Sequence, residues 1–119
     1  MLRRFSLMSP ALGTVLVVSL LLRQPAALAD GNATRGKEMF EKATCVVCHP
    51  GGGNNVNPHD PLKGEHFARE FNTDDKIVKV VRSGIKGTAM PAFGKDKVSD
   101  ANLKDIIAYI RSLTPKSAK

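Results

Sequence analysis

The residues of this chain that could do chemistry are concentrated in one short segment. The sequence TCVVCH, from Thr44 to His49, holds both cysteines of the 119-residue chain, and a histidine directly follows the second. Two thiols at this spacing could form a redox-active dithiol, could ligate zinc together with His49 and His59, or could each form a thioether to one porphyrin. The three chemistries need different surroundings, so the rest of the chain decides among them.

The surroundings of the two cysteines favour haem attachment. A redox dithiol needs a thioredoxin-like alternation of strands and helices, which this sequence lacks. A closed zinc site needs four ligands, and no second ligand pair at zinc-site spacing follows. The pattern Cys45-x-x-Cys48-His49 is instead that of covalent haem attachment, in which the histidine reaches the iron. Zinc ligation and a plain disulfide remain the alternatives.

Met90 is the candidate for a second iron ligand. It lies in the segment IKGTAMPAFGKDKV, whose glycines and prolines indicate a loop. A flexible thioether in a loop can point toward a metal because its direction is not fixed by a helical repeat. Pro91 would make the backbone next to it more rigid. The alternative is ordinary core packing, the more common role of a methionine.

Three other residues could compete for the iron. Met39 is expected to pack in the first helix beside Phe40. His59 and His66 are chemically suitable because imidazole is a good iron ligand. Both are close in sequence to His49, however, and are therefore expected on its side of a porphyrin, as solvated histidines.

The elements that must position these residues are predicted to be helices. Sustained strand alternation is absent from the sequence, so the fold class is predicted to be all-α. Gly84 suits a C-terminal cap, and Asn32 and Ser99 suit N-terminal caps. Helices are predicted over residues 33–44, 64–71, 73–84 and from Ser99 to about Pro115, with a loop over residues 50–61.

The first 29 residues read as a cleaved secretory signal peptide. Arg3 and Arg4 precede a 12-residue apolar run, and a small-residue site ends at Ala29. The run is shorter than the roughly 20 residues that cross a bilayer, although an uncleaved anchor remains an alternative. Residues 30–119 then form one small domain, which is of a size that often needs a cofactor for stability.

The charge of this domain argues against nucleic acid as a partner. Removal of residues 1–29 takes away three of the 18 basic residues and leaves 15 against 11 acidic ones, a net charge of +4. The basic residues are scattered rather than clustered. An acidic protein surface is the more natural partner.

Residues 32–114 resemble a class I c-type cytochrome. The resemblance rests on CVVCH near the start of this domain and on GTAMPAF (87–93), about 40 residues later and ahead of a C-terminal helix. Within that class, CHPGGGNNVNP and AMPAFGKDKVSDANLKDIIAYI are similar to the small soluble photosynthetic cytochromes c of algae and cyanobacteria. The resemblance implies a small class I cytochrome c fold of three to five helices around one covalently attached haem.

The resemblance also implies roles for individual residues. Cys45 and Cys48 would form the haem thioethers, His49 would be the proximal iron ligand and Met90 the distal one. In the same way, the first and last helices would cross where Gly36 and Phe40 meet Tyr109.

Histidine and methionine together saturate the iron, which predicts a function. An iron without an open position transfers single electrons through the haem edge, so the chain is expected to be a soluble electron carrier of positive potential, not an enzyme. The expected carrier is an exported monomer of the periplasm or thylakoid lumen. It would dock transiently between a membrane electron-transfer complex and an oxidase, reductase or photosystem.

Two alternatives and one surface expectation complete this interpretation. A labile distal ligand would instead give a haem peroxidase or gas sensor, and a retained anchor would suit a fixed subunit of a larger complex. The loop residues Asn54, Asn55 and Asn57 could contact haem propionates, with a polar turn as the alternative. Lysines that flank the expected haem edge could steer an acidic partner, namely Lys42, Lys86, Lys95 and Lys97.

Overall fold

Five α-helices make up the part of the chain that the computed structural model describes, residues 30–115, and no strand occurs there. This confirms the all-α prediction; the predicted signal peptide, residues 1–29, lies outside the described residues. The helices are α1 (Ala33–Lys42), α2 (Cys45–Cys48), α3 (Gly64–Glu70), α4 (Asp74–Ser83) and α5 (Asp100–Ser112), with a 3₁₀ turn at Pro50–Gly52. Over residues 30–115, each helix is too short or too polar to cross a bilayer.

The predicted caps form as the sequence suggests. The Asn32 side chain accepts a hydrogen bond of 2.9 Å from the Arg35 amide, and the Ser99 hydroxyl accepts one of 3.1 Å from the Asn102 amide. Gly84 ends α4 with φ of +66°, a left-handed conformation that a glycine adopts without steric cost.

The end of α1 differs from the prediction. The helix was expected to continue through residue 44 but stops at Lys42. Thr44 adopts a left-handed conformation with φ of 65° and ψ of 11°, which turns the backbone and starts α2 at Cys45. The cysteines therefore lie on a short helix of their own, which the sequence reasoning missed.

The crossing of α1 and α5 closes the fold. A Cβ atom at Gly36 would overlap the Asp105 carbonyl oxygen and would lie 3.0 Å from Tyr109 Cβ, so only glycine permits this approach. The Phe40 and Tyr109 rings meet edge to face with centroids 5.3 Å apart. Both contacts confirm the predicted crossing.

A buried carboxylate reinforces the same crossing. Asp105 is only 3% exposed although it lies on the apolar side of α5. It accepts hydrogen bonds from the Asn32 amide at 2.8 Å and from the Arg35 guanidinium, whose Nη2 lies 3.1 Å away. These hydrogen bonds hold the pKa of Asp105 below its ordinary value. The carboxylate thus ties the start of α1 to the middle of α5.

The core is built mainly from α5. Its residues at helical spacing are buried as the sequence predicts, and α1, α3, α4 and the loop before α5 each add one buried side chain. The buried apolar residues are Phe40, Phe67, Ile77, Val98, Leu103, Ile106, Ile107 and Ile110. Most of them also face a large cavity, so the core is one wall of a binding site.

Candidate haem site

A cavity of about 630 Å³ lies between α2, α3, α4, α5 and the loops that connect them. Its volume falls in the range of about 300–1,000 Å³ typical of ligand and cofactor pockets. All four sequence-predicted site residues line it, namely Cys45, Cys48, His49 and Met90. The remaining wall is largely apolar.

The two cysteines reach this cavity from α2. They are three positions apart and therefore lie on one side of the helix. Both are half-buried free thiols, so the disulfide alternative does not hold in this structure. Burial raises the pKa of the Cys45 thiol.

The zinc alternative finds no support in the geometry. Within residues 30–115, no three His, Cys, Asp or Glu side chains are gathered to share a metal ion. His59, which would have completed such a site, is exposed and does not line the cavity.

His49 is held with one ring nitrogen free. Its Nδ1 lies 2.9 Å from the Gly53 carbonyl oxygen. A carbonyl oxygen only accepts, so Nδ1 carries the proton and donates, which leaves the Nε2 lone pair available for a metal. Metal-ligating histidines are usually oriented by such a hydrogen bond.

The turn after His49 places that carbonyl. Gly51 and Gly52 have φ of +57° and +78°, which other residues rarely adopt. The Gly53 amide donates to Pro50 O at 2.9 Å, and the Leu62 amide donates to Gly52 O at 2.7 Å. The glycines that follow the histidine therefore serve to fix the imidazole.

Met90 is held by a loop fastened to α4. The Ile85 amide donates to Met90 O at 3.1 Å, and the Phe93 amide donates to Val81 O at 2.8 Å. Arg82 reinforces the loop because its guanidinium donates to Phe93 O at 3.1 Å. The backbone of the methionine is thus fixed at both sides, while its half-buried side chain borders the cavity.

The competing residues are placed less favourably. Met39 is partly buried and packs against the core, as predicted, and does not line the large cavity. His66 does border the cavity, but its side chain is 68% exposed and its Nδ1 lies 3.8 Å from a Glu70 carboxylate oxygen. The prediction of solvated histidines at 59 and 66 is confirmed.

One feature of the site was not predicted from the sequence, and another had been left with two alternatives. Phe67 and Phe71 stack with centroids 4.9 Å apart on the cavity wall; their spacing of four residues in a predicted helix was the available signal. Asn54 takes the polar-turn role, because its side-chain oxygen accepts from the amides of Val56 and Asn57 at 3.1 and 2.9 Å.

The four lysines expected at a haem edge are not equivalent. Lys95 pairs with Asp100 at 2.7 Å, and Lys42 and Lys97 line a different, smaller cleft. Lys86 is exposed next to Ile85, which borders the cavity.

The donor set and the walls fit a c-type haem. The mostly apolar cavity is bordered by two free thiols, one oriented imidazole with a free nitrogen and one thioether on a loop. Covalent attachment of a haem and two axial bonds to its iron require this combination of groups.

Comparisons with known proteins agree with this geometry. The family described as "Cytochrome C oxidase, cbb3-type, subunit III" matches residues 31–110. Cytochrome c6 of Pyropia tenera is 37% identical over 82 residues, which cover 68% of this chain and 92% of that protein. The chain belongs to the class I c-type cytochromes. The cytochrome is also 37% identical over 97 residues to cytochrome c6 of Rippkaea orientalis, covering 81% and 83% of the two chains.

Solved structures show the same fold. Cytochrome c6 from the diatom Phaeodactylum tricornutum superposes with a TM-score of 0.58 at 30% identity, covering 69% of this cytochrome and 93% of that chain. OmcF, the outer membrane cytochrome F of Geobacter sulfurreducens, gives 0.56 at 30% identity, covering 67% and 99%. The predicted small class I cytochrome c fold is confirmed, and with it the predicted cofactor, a covalently bound haem c with its iron. The chain is a c-type cytochrome electron carrier, and it is similar to cytochrome c6.

Proposed function

We propose that this cytochrome carries one electron at a time on a haem held by thioethers to Cys45 and Cys48, with His49 and Met90 as the axial ligands. The observation that carries the proposal is the His49 hydrogen bond to Gly53 O, which frees Nε2 in the cavity that the two thiols and Met90 share. The haem, when bound, supplies an iron that alternates between Fe(III) and Fe(II).

Residues of the chain determine which oxidation state of this iron is favoured. The hydrogen bond from Nδ1 fixes the ring orientation of His49 and raises its basicity. The soft thioether of Met90 favours Fe(II), and the apolar wall disfavours the additional positive charge of Fe(III). Together they support a positive reduction potential.

The same two side chains argue for a carrier rather than an enzyme. With His49 and Met90 both engaged, the iron has no position for oxygen, peroxide or substrate. Three exposed apolar residues at the cavity border support contact with a protein surface instead: Val47, Val56 and Ile85.

The proposal also covers where the protein acts in the cell. We infer export, with cleavage after Ala29, and a monomer in a periplasm or thylakoid lumen that docks transiently. The donor is a membrane electron-transfer complex and the acceptor an oxidase, reductase or photosystem.

A second candidate is a fixed oxidase subunit, which the description of the matching family favours. The match to 92% of the length of a cytochrome c6 favours the carrier. The two differ in how the processed protein fractionates. The carrier is released when cells are opened, whereas a fixed subunit stays with membranes after a high-salt wash.

The axial ligands are tested by the absorption spectrum of the oxidised holoprotein at neutral pH. The wild type should show the weak far-red charge-transfer band of a methionine sulfur on ferric haem. Met90→Ala should abolish the band and lower the reduction potential by on the order of 0.1 V or more, since axial ligands set potentials over about 0.8 V.

Met39→Ala is the matched control, because Met39 packs outside the cavity and its loss should leave the band intact. Absence of the band in the wild type would reject Met90 as ligand. The peroxidase or gas-sensor alternative would then take its place.

A further inference from the structure

The guanidinium of Arg82 lies where α4, the loop that carries Met90 and the start of α5 meet. Only 17% of the Arg82 side chain is exposed. The guanidinium donates to Phe93 O at 3.1 Å, to Val98 O at 2.6 Å and to Asp100 Oδ1 at 2.7 Å. One side chain of α4 therefore holds three points of the chain that follows Met90.

The two backbone acceptors of Arg82 mark the ends of one turn, residues 93–98. Inside this turn the amides of Lys97 and Val98 both donate to Gly94 O, at 3.2 and 3.0 Å. A guanidinium presents its donors in a rigid planar fork, whereas the ammonium of a lysine is a compact point charge on a flexible stem. The contacts to both ends of the turn therefore depend on an arginine and not on positive charge alone.

The backbone of Met90 itself lies against the end of α4. A Cβ atom at Gly84 would be 2.8 Å from Met90 O, and backbone hydrogen bonds of Ile85 and Val81 also hold this stretch. These bonds stop where the turn begins. From there on, the hydrogen bonds between α4 and the loop come from the Arg82 guanidinium.

Arg82 acts on the site from outside it. Phe93 and Val98, whose carbonyl oxygens it binds, line the haem cavity, as Met90 does. Arg82 itself is not part of that wall. A side chain that stands behind the wall and holds the loop of an axial ligand is a positioning residue.

We propose that Arg82 keeps Met90 on the haem iron and so keeps the sixth coordination position closed. Met90 reaches the iron from a loop, so its bond persists only while the loop stays in place. The hydrogen bonds from Arg82 stabilise the closed loop over an open one. Loss of the guanidinium leaves the methionine in the chain but raises the open fraction, so that external ligands reach the iron. This inference rests on the proposed ligation by Met90 and identifies what makes that ligation lasting.

The test measures how tightly imidazole binds to the oxidised holoprotein at neutral pH, where it displaces Met90. Imidazole binds only the open state, so its apparent dissociation constant is inversely proportional to the open fraction. Arg82→Lys and Arg82→Gln should each bind imidazole roughly tenfold more tightly than the wild type, because hydrogen bonds from a charged donor to two carbonyls are lost. If Arg82→Gln does not fold, Arg82→Lys decides, because it keeps a positive charge beside Asp100.

A second measurement separates control of the loop from a general contribution to stability. Urea unfolding of the oxidised protein is followed by the far-red methionine band and by far-ultraviolet circular dichroism of the helices. In Arg82→Lys the band should disappear well before the helices unfold, and the gap between the two midpoints should be wider than in the wild type. A residue that only stabilised the fold would move both midpoints together.

The matched control is Arg69→Gln, which removes an arginine of α3 whose side chain is 73% exposed and does not line the haem cavity. Its imidazole affinity should stay within about twofold of the wild type, because the exposed charge is screened by salt. An equal increase in affinity for Arg69→Gln and Arg82→Gln would show that net charge, not the loop contacts, controls access to the iron.

Two further results would overturn the proposal. One is imidazole binding by Arg82→Lys that equals that of the wild type, and the other is a parallel shift of the two urea midpoints. Both are distinct from a failure of the proposed function. If the wild type lacks the far-red band, Met90 is not the ligand. If the wild type shows the band and the Arg82 variants keep its imidazole affinity, the ligation stands and only the role of Arg82 fails.

Discussion

At the scale of single residues, the site depends on a few residues with positive φ on either side of the Cys45–His49 motif. Gly51 and Gly52 turn the chain so that Gly53 O meets His49 Nδ1, and the left-handed Thr44 separates α1 from α2. The first two are glycines, which adopt positive φ freely, whereas Thr44 is β-branched. The surrounding structure must therefore hold Thr44 in a conformation that its side chain opposes.

Thr44→Gly tests this strain. Removing the side chain relieves the left-handed conformation, by about 1–2 kcal/mol, and costs about 0.5–1 kcal/mol of chain entropy. The free energy of unfolding in urea should therefore stay level or rise slightly.

The matched control is Thr34→Gly, at an exposed helical position in α1. There the glycine should lower the free energy of unfolding by about 0.5–1 kcal/mol. An equal loss for both variants would contradict strain at Thr44.

At the scale of elements, the crossing of α1 and α5 is the joint that fixes the cavity. Gly36 permits the backbone approach, the Phe40 and Tyr109 rings fill the crossing, and Asp105 ties it by hydrogen bonds to the start of α1. Phe40 and several residues of α5 also line the haem cavity. Disturbance of the crossing should therefore reach the site.

Gly36→Ala is expected to be strongly destabilising. Its Cβ would overlap the Asp105 carbonyl oxygen, a backbone atom that cannot move without parting the helices. We expect a loss of about 3 kcal/mol in the free energy of unfolding, at the upper end of the usual cost of overpacking.

Gly64→Ala serves as the comparison because nothing lies within 4 Å of its Cβ position, although its φ is +90°. Its cost should be confined to backbone strain of about 1 kcal/mol. Similar losses in the free energy of unfolding for the two variants would show that the close approach of α1 and α5 does not account for the cost of Gly36→Ala.

Asp105→Asn should change how stability depends on pH. The pKa of Asp105 in the folded protein is lowered by Arg35 and by the Asn32 amide, whereas the unfolded value is about 3.9. Ionised Asp105 thus stabilises the fold above about pH 4, and this contribution is lost as the pH falls through the lowered pKa.

The variant should be less stable than the wild type at pH 7 in urea unfolding, and the difference should shrink below about pH 4. Asp75→Asn, at an exposed residue without a salt bridge in residues 30–115, should keep the wild-type profile. A difference between Asp105→Asn and wild type that does not vary with pH would reject the assignment.

At the scale of the whole molecule, the positive charge should govern encounter rather than affinity. Lys86 is exposed beside the cavity border and forms no salt bridge in residues 30–115, whereas reversal of Lys95 would also break its pair with Asp100. Lys86 is therefore the cleaner position to test.

Lys86→Glu should slow oxidation of the reduced protein by ferricyanide several-fold at about 10 mM salt, and the effect should nearly vanish at about 0.5 M. With the cationic oxidant tris(phenanthroline)cobalt(III), the same variant should react faster than wild type. Stopped-flow measurement against Lys79→Glu, on the outer side of α4, is the control. Equal effects at both salt concentrations would exclude steering.

Much of the fold and of the site could be predicted from the sequence, because helical periodicity, capping residues and the haem motif each give a local signal. Helical periodicity predicted α5 and α4, and the caps at Asn32, Ser99 and Gly84 marked boundaries. Cys45, Cys48 and His49 could be chosen because their types and spacing are dictated by the chemistry of haem attachment, whereas Met90 was chosen because its loop resembles that of the class I cytochromes.

What the sequence did not predict depends on tertiary contacts. A threonine gives no local signal for a left-handed turn, so α2 was missed. An aspartate on the apolar side of α5 is unfavourable until Asn32 and Arg35 reach it from about 70 residues away.

The α1–α5 crossing has a consequence for the order in which the molecule matures. It joins helices near opposite ends of the domain, so a chain that emerges amino-terminus first has no partner for α1 until α5 appears. Until then Cys45 and Cys48 belong to an open polypeptide and remain reachable by whatever machinery attaches the cofactor. Late closure of the fold thus leaves a time window in which the haem can be attached before α1 and α5 pack together.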